Sequence, residues 1–207
     1  MTIATYSDLK AAVARWMNRT DLDAQIPDFI TVAESRIALT VRSWPMLKTT
    51  TLTQIAGQSG VALPVDWLEW NRVLLDGQDE PLEYTDFPYF QSLLSSGDMT
   101  NCGKYTTDSG MLFVVGLIPT GQPNVAIDVS YYARNKPLDD STNTTNWLLA
   151  AHPEVYLYGA AVSGWQYLLD EQRAAANDGL FGAATAAVNA DALKARMSGS
   201  IWRQRPR

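Results

Sequence analysis

Cysteine and histidine each occur once in the 207 residues, as Cys102 and His152. A lone cysteine excludes an intrachain disulfide and any cysteine-based zinc cluster, and it suits a reducing compartment. A Ser-His-Asp arrangement would have to use His152, which sits beside Pro153 in an apolar run. The nearest serine, Ser163 before Gly164, lacks the G-x-S-x-G elbow, so His152 reads as a capping or packing residue. Glycine loops of the forms G-x-x-x-x-G-K-[ST] and G-x-G-x-x-G are missing, which leaves nucleotide binding without support. Bases are in the minority, 16 Lys+Arg against 22 Asp+Glu, for a formal net charge of -6. Bulk charge therefore does not make this a nucleic-acid binder. Residues 147–169 are long enough to span a bilayer, but His152, Pro153 and Glu154 interrupt them, and they read as a buried core helix. The opening MTIATYSDLK has no basic-then-apolar leader pattern. Asp139, Ser141 and Asn143 alternate like a calcium loop. Thr144 stands where that loop needs glycine, however, and Ala150 where it needs a bidentate glutamate. This is a polar turn, and neither metal nor cofactor is expected.

What is present is a chain of three textures. Thr5 with Asp8 forms a capping-box signal, and Leu9, Val13 and Trp16 recur on one helical face. A second helix is expected over about 23–41, with Pro27 in its first turns and Ile26, Ile30, Ala33, Ile37 and Val41 as its stripe. Asp28, Glu34 and Arg36 should face outward. From Met46 the residues become β-branched. Asp76-Gly77 and Ser109-Gly110 mark two expected hairpins, and Val125, Ile127, Val129 and Tyr131 alternate inward along a half-buried antiparallel strand. A short helix is expected in DFPYFQSLLSS. After the polar stretch KPLDDSTNTTN, the chain returns to helix, with Asn146 or His152 as caps and small residues such as Ala160 and Gly164 permitting close approach. Asp170 to Arg173 reads as a bend. Leu180, Ala184, Ala187, Val188 and Leu193 are the expected stripe of the last helix. The fold class is α+β: a helical bundle from residues 1–45 and 147–197, a β-rich antiparallel insertion over 46–146, and an extended tail over 198–207.

Two surfaces carry candidate chemistry. Asp66, Glu69, Asp76, Asp79, Glu80, Glu83 and Asp86 cluster in the β-rich region, where a carboxylate pair could hydrolyse a glycosidic bond if a cleft held it. Charges on hairpin tips are the commoner use of such residues. Trp67, Trp70, Tyr84, Phe87 and Tyr89 lie among these acids, as core residues or as anchors of a subunit or tail interface. The ending SGSIWRQRPR is different. Beyond Asp191 every charged side chain is basic, and Ile201 with Trp202 is costly to leave in water, at roughly 1.5–3 kcal/mol for a large side chain. Trp202 stacking and arginines on phosphate would give a nucleic-acid tail. An acidic protein groove would serve equally.

The runs LPVDWLEWNRVLLDG, PLEY and VSYYARNKPLDDSTNTTNWLLAAHPEVYLYGAA resemble the head-to-tail adaptor (connector) proteins of short-tailed bacteriophages, which are related in role to tail tubular proteins. IPDFITVAESRIALTVR, MLKTTTLT and the closing ALKARMSGS follow the same pattern in the same order, from about Tyr6 to Ser200. NTTNWLLAAHPEVYLYGA is the most specific block. The resemblance implies a structural virion protein at the head-tail junction, assembled in the host cytoplasm, and no enzyme. It implies a homo-oligomeric ring, dodecameric when complete, beneath a portal protein. Genomic DNA would pass through its lumen without sequence-specific binding, a downstream tail or nozzle protein would attach below, and no membrane would be involved. By position it makes Ser200, Ile201, Trp202, Arg203, Arg205 and Arg207 the portal-docking residues and Gly199 their hinge. The alternatives are a tail-associated peptidoglycan hydrolase using the β-region carboxylates, or nucleic-acid binding through the basic tail.

Overall fold

A computed structural model describes residues 3–55, 60–96, 103–114 and 124–197. The chain divides into two compact units, Met1–Pro45 with Asn135–Arg207, and Met46–Arg134. Helices build the first and antiparallel strands dominate the second, an α+β fold.

In the helical unit, α1 (Tyr6–Met17) starts on the expected capping box. The Asp8 amide donates to Thr5 Oγ1 at 3.2 Å, and the Thr5 amide donates to the Asp8 carboxylate at 3.1 Å. It ends at Asn18, whose left-handed φ of 52° is one asparagine tolerates. α2 (Ile26–Thr40) buries Ile26, Ile30, Ala33 and Ile37, with Val41 just past its end. Each large side chain so buried contributes about 1.5–3 kcal/mol. Glu34 departs from its outward assignment. It is half-buried and accepts a hydrogen bond from the Leu138 amide at 2.8 Å.

Asn146 caps the short α4 (Trp147–Ala151) by accepting from the Leu149 amide at 2.9 Å. α5 (Pro153–Tyr167) then runs through the middle of the unit, contacting α1, α2, α4 and α6 (Glu171–Met197). Its small residues make that position possible. A Cβ at Gly159 would lie 3.0 Å from the Ala33 Cβ, and one at Gly164 would lie 2.5 Å from the Met17 sulfur. α6 buries Ala174, Asn177, Phe181, Thr185, Val188 and Ala192. The expected stripe shares only Val188 with this set, and Leu180 and Leu193 are exposed. The phase is set by Phe181, whose ring fits against the gap left by Gly159. Thr185 is tolerated inside because its hydroxyl donates to the Phe181 carbonyl at 3.0 Å.

The polar segment 135–146 belongs with these helices. Tyr6 donates its amide to the Thr144 carbonyl at 2.7 Å, Trp147 Nε1 donates to Asn135 at 2.9 Å, and Lys10 pairs with Asp140 at 2.7 Å. Asp139 closes the turn on itself, accepting from the amides of Ser141 and Thr142.

The β-rich unit holds two sheets. In the first, β7 (Asn124–Ala133) lies between β1 (Leu47–Ile55) and β3 (Trp67–Leu75), antiparallel to both. The second runs β2 (Val61–Ala62), β6 (Met111–Val114), β5 (Lys104–Asp108), β4 (Glu83–Tyr84). β5 and β6 form the expected hairpin, with φ of 49° at Ser109 and 76° at Gly110, the double positive φ of a type I′ turn. The Asp76-Gly77 turn forms too, but it does not make a hairpin. β4 crosses to the second sheet and pairs in parallel with β5. Leu82, just before β4, still bonds back to β3, its amide donating to the Val73 carbonyl at 2.8 Å, and enters a core with Val73, Leu75, Leu112, Ile127 and Val129. α3 (Phe87–Ser96) follows β4 and buries Phe90 and Leu93.

Candidate assembly surfaces

The five aromatics expected at an interface fall into two groups. Trp67 and Trp70 pack on the β-rich core, 5.4 Å apart between ring centroids, and Trp70 Nε1 donates to Thr107 Oγ1 at 2.9 Å. Phe87 packs on Phe90 and Phe113 beside α3. Tyr84 and Tyr89 remain outside, 60% and 43% exposed. Lys104 connects their surroundings, pairing with Glu83 at 3.5 Å and lying 5.4 Å over the Tyr89 ring. Gly199, Ser200, Ile201, Trp202, Arg203, Arg205 and Arg207 lie outside the described residues.

The carboxylates do not share one environment. Asp66 is enclosed. Burial pushes its acidity towards higher pKa, but hydrogen bonds from Lys48 and from the Tyr131 hydroxyl (2.9 Å) outweigh burial and hold the pKa below the usual carboxylate value. Tyr131 moves oppositely, pushed up to about 12 by burial and by its bond to Asp66. Asp76, Asp79 and Glu80 are exposed in the turn after β3, and Asp86 is exposed at the start of α3. Glu69 is exposed on β3, and Glu83 faces Lys104. His152 precedes α5 with its Nδ1 3.3 Å from Glu154. Among the described residues no group of histidine, cysteine and acidic side chains could hold a metal ion, and no helix is long and apolar enough to cross a membrane.

The sequence reading missed a surface feature at the junction of α5 and α6. Leu169 donates its amide to the Gln166 carbonyl and Asp170 donates to the Trp165 carbonyl, both at 3.0 Å, the paired bonds of a Schellman ending. Leu169 holds the left-handed position with φ of 57°, where glycine is usual, and is 88% exposed. Asp170 at once starts α6, accepting from the Arg173 amide at 3.0 Å. The clue in the sequence was a helix end with no glycine at its stop. On the α1 side of α6 lies a cleft of about 440 Å³ lined by Trp16, Arg19, Trp165, Arg173 and Asn177. Trp16 Nε1 donates to Asn177 at 2.9 Å, and the Arg173 guanidinium lies 4.6 Å over the Trp165 ring.

A helical unit is thus interrupted in sequence by a β-rich unit, with aromatic and leucine side chains displayed on both. The family model described as SU10 adaptor protein matches residues 4–205, and the chain belongs to that family of phage head-to-tail adaptors. A search of curated proteins finds no match.

Proposed function

We propose that this adaptor forms a ring beneath the portal, dodecameric when complete, which extends the DNA channel and offers a platform to later tail proteins. The observation that carries the reading is the family match, which runs through both units without restriction to one of them. In this reading the chain works in the virion at the head-tail junction after assembly in the host cytoplasm. Its net charge of -6 favours passage of DNA over retention, since phosphates are repelled by an acidic wall. The basic ending supplies the portal contact: Gly199 releases it, Ile201 and Trp202 anchor it, and Ser200, Arg203, Arg205 and Arg207 add polar contacts to an acidic groove. Ten extended residues reach about 33–36 Å, enough to bridge to a neighbouring protein. Tyr84 and Tyr89 are the exposed pair best suited to meet a neighbouring subunit or tail protein, whereas Trp67, Trp70 and Phe87 are packed within their own unit.

Electron microscopy of the protein mixed with its cognate portal tests the whole reading. A ring of subunits on the portal is expected. Single scattered copies, or none, would overturn it.

A further inference from the structure

Leu169 is a residue the fold does not ask for. Glycine at that position would close the same two backbone bonds without steric opposition, because only glycine enters the left-handed region freely. The chain instead places a branched apolar side chain there and leaves it 88% exposed. Strain and exposure at one position, both unrelieved among the described residues, point to a surface that covers Leu169 in an assembly.

We infer that Leu169 of one copy enters the Trp16–Trp165 cleft of the next copy, so that the α5–α6 elbow is the repeating contact of the ring. This rests on the ring reading above. Three observations select a second copy as the occupant. First, knob and cleft lie on opposite flanks of α6. Asp178 turns towards α2 and pairs with Arg36, while its neighbour Asn177 turns towards α1 and bonds Trp16. Two different patches on opposite flanks are what a heterologous, ring-closing contact needs, whereas a two-fold dimer uses one patch twice. Second, the charges are complementary. Glu171, beside the knob, makes no ion pair among the described residues, and Arg19 and Arg173 border the cleft. Those arginines already hold Asp21 and Asp170, but a guanidinium has five donors and can take a further carboxylate. Third, the cleft offers an open aromatic surface at Trp16, which packs against Tyr158 at 5.5 Å yet stays 47% exposed with its N–H satisfied, whereas Trp165 is buried beneath the Arg173 guanidinium. A tryptophan with its polar edge paired and half of its surface still open is suited to an aliphatic side chain.

The test uses the full chain with its cognate portal, read by native mass spectrometry for adaptor copies per portal and by thermal melting for folding. Leu169→Gly is expected to melt at or above the wild-type temperature yet lose at least tenfold in affinity between neighbouring copies, leaving partial rings. Glu171→Arg and Arg173→Glu should each block ring closure alone. An equimolar mixture of the two should restore it, since every knob then meets a cleft of opposite charge. Complete rings from Leu169→Gly at wild-type concentration would overturn this contact while leaving the ring reading intact. A mixture that stays open although both variants melt normally would overturn it as well. Wild-type protein that forms no ring overturns both.

Discussion

At Leu169 two residue-scale terms of opposite sign can be compared. Relieving a left-handed leucine is worth about 1–2 kcal/mol, and the added chain freedom of glycine costs about 0.5–1 kcal/mol. Leu169→Gly should therefore stabilise the isolated protein by up to about 1.5 kcal/mol in urea melts. Gly159 behaves in the opposite way. A methyl group there would meet the Ala33 Cβ at 3.0 Å and the Phe181 ring at 3.2 Å, both in packed helices. Gly159→Ala is expected to cost about 1–3 kcal/mol, the usual range for overpacking. Asn146 has two tasks: Oδ1 caps α4, and Nδ2 donates to the Tyr156 hydroxyl at 2.7 Å, on a side chain that is 1% exposed. Asn146→Ala loses a cap worth about 1 kcal/mol and strands a buried hydroxyl at about 1–3 kcal/mol. The second loss should disappear in a Tyr156→Phe background. A double-mutant cycle showing no coupling between the two would remove the hydroxyl from the account.

Among the elements, segment 135–146 shows how a loop becomes part of a helical unit. Its contact with Glu34 gives a pH signature. Burial raises the Glu34 pKa, and the hydrogen bond from Leu138 only partly opposes this. The fold favours the uncharged acid, so this contribution is present below the usual carboxylate range and is lost as pH rises through the raised value. Glu34→Gln keeps an acceptor for Leu138 and removes the charge. It should raise the melting temperature near neutral pH and leave it unchanged in acid. A rise in acid equal to that at neutrality would discount the titration. Helix caps, the α2 stripe, the Ser109-Gly110 hairpin and the alternation of β7 were legible because each is a local pattern. The α6 stripe was not, because alanine is equally at home inside and outside, and its phase depends on where Gly159 admits Phe181. The partner of β4 was hidden for a similar reason: a two-residue strand carries no period. Leu169 went unseen because hydrophobicity suggests burial, and only backbone geometry reveals that it points outward.

For the whole molecule, removal of Ile201–Arg207 is expected to abolish portal attachment while melting stays unchanged, measured by co-sedimentation with portal. Unchanged affinity would remove the docking role from those residues. A second consequence follows from the order in which the two units are encoded. Residues 46–134 are contiguous and hold their own core, so they can fold while the ribosome is still translating. The helical unit cannot, since α1 and α2 are made first and the helix that fills the space between them, α5, comes last but one. At roughly 5–20 residues per second, residues 135–207 take about 4–15 s to emerge. During that interval Leu9, Val13, Ile30 and Ile37 lack the cover that α5 supplies, and apolar surface stays exposed on the nascent chain. The α5–α6 elbow, and with it any neighbour-binding knob, exists only once synthesis is nearly finished. If the elbow is the ring contact, incomplete chains lack it.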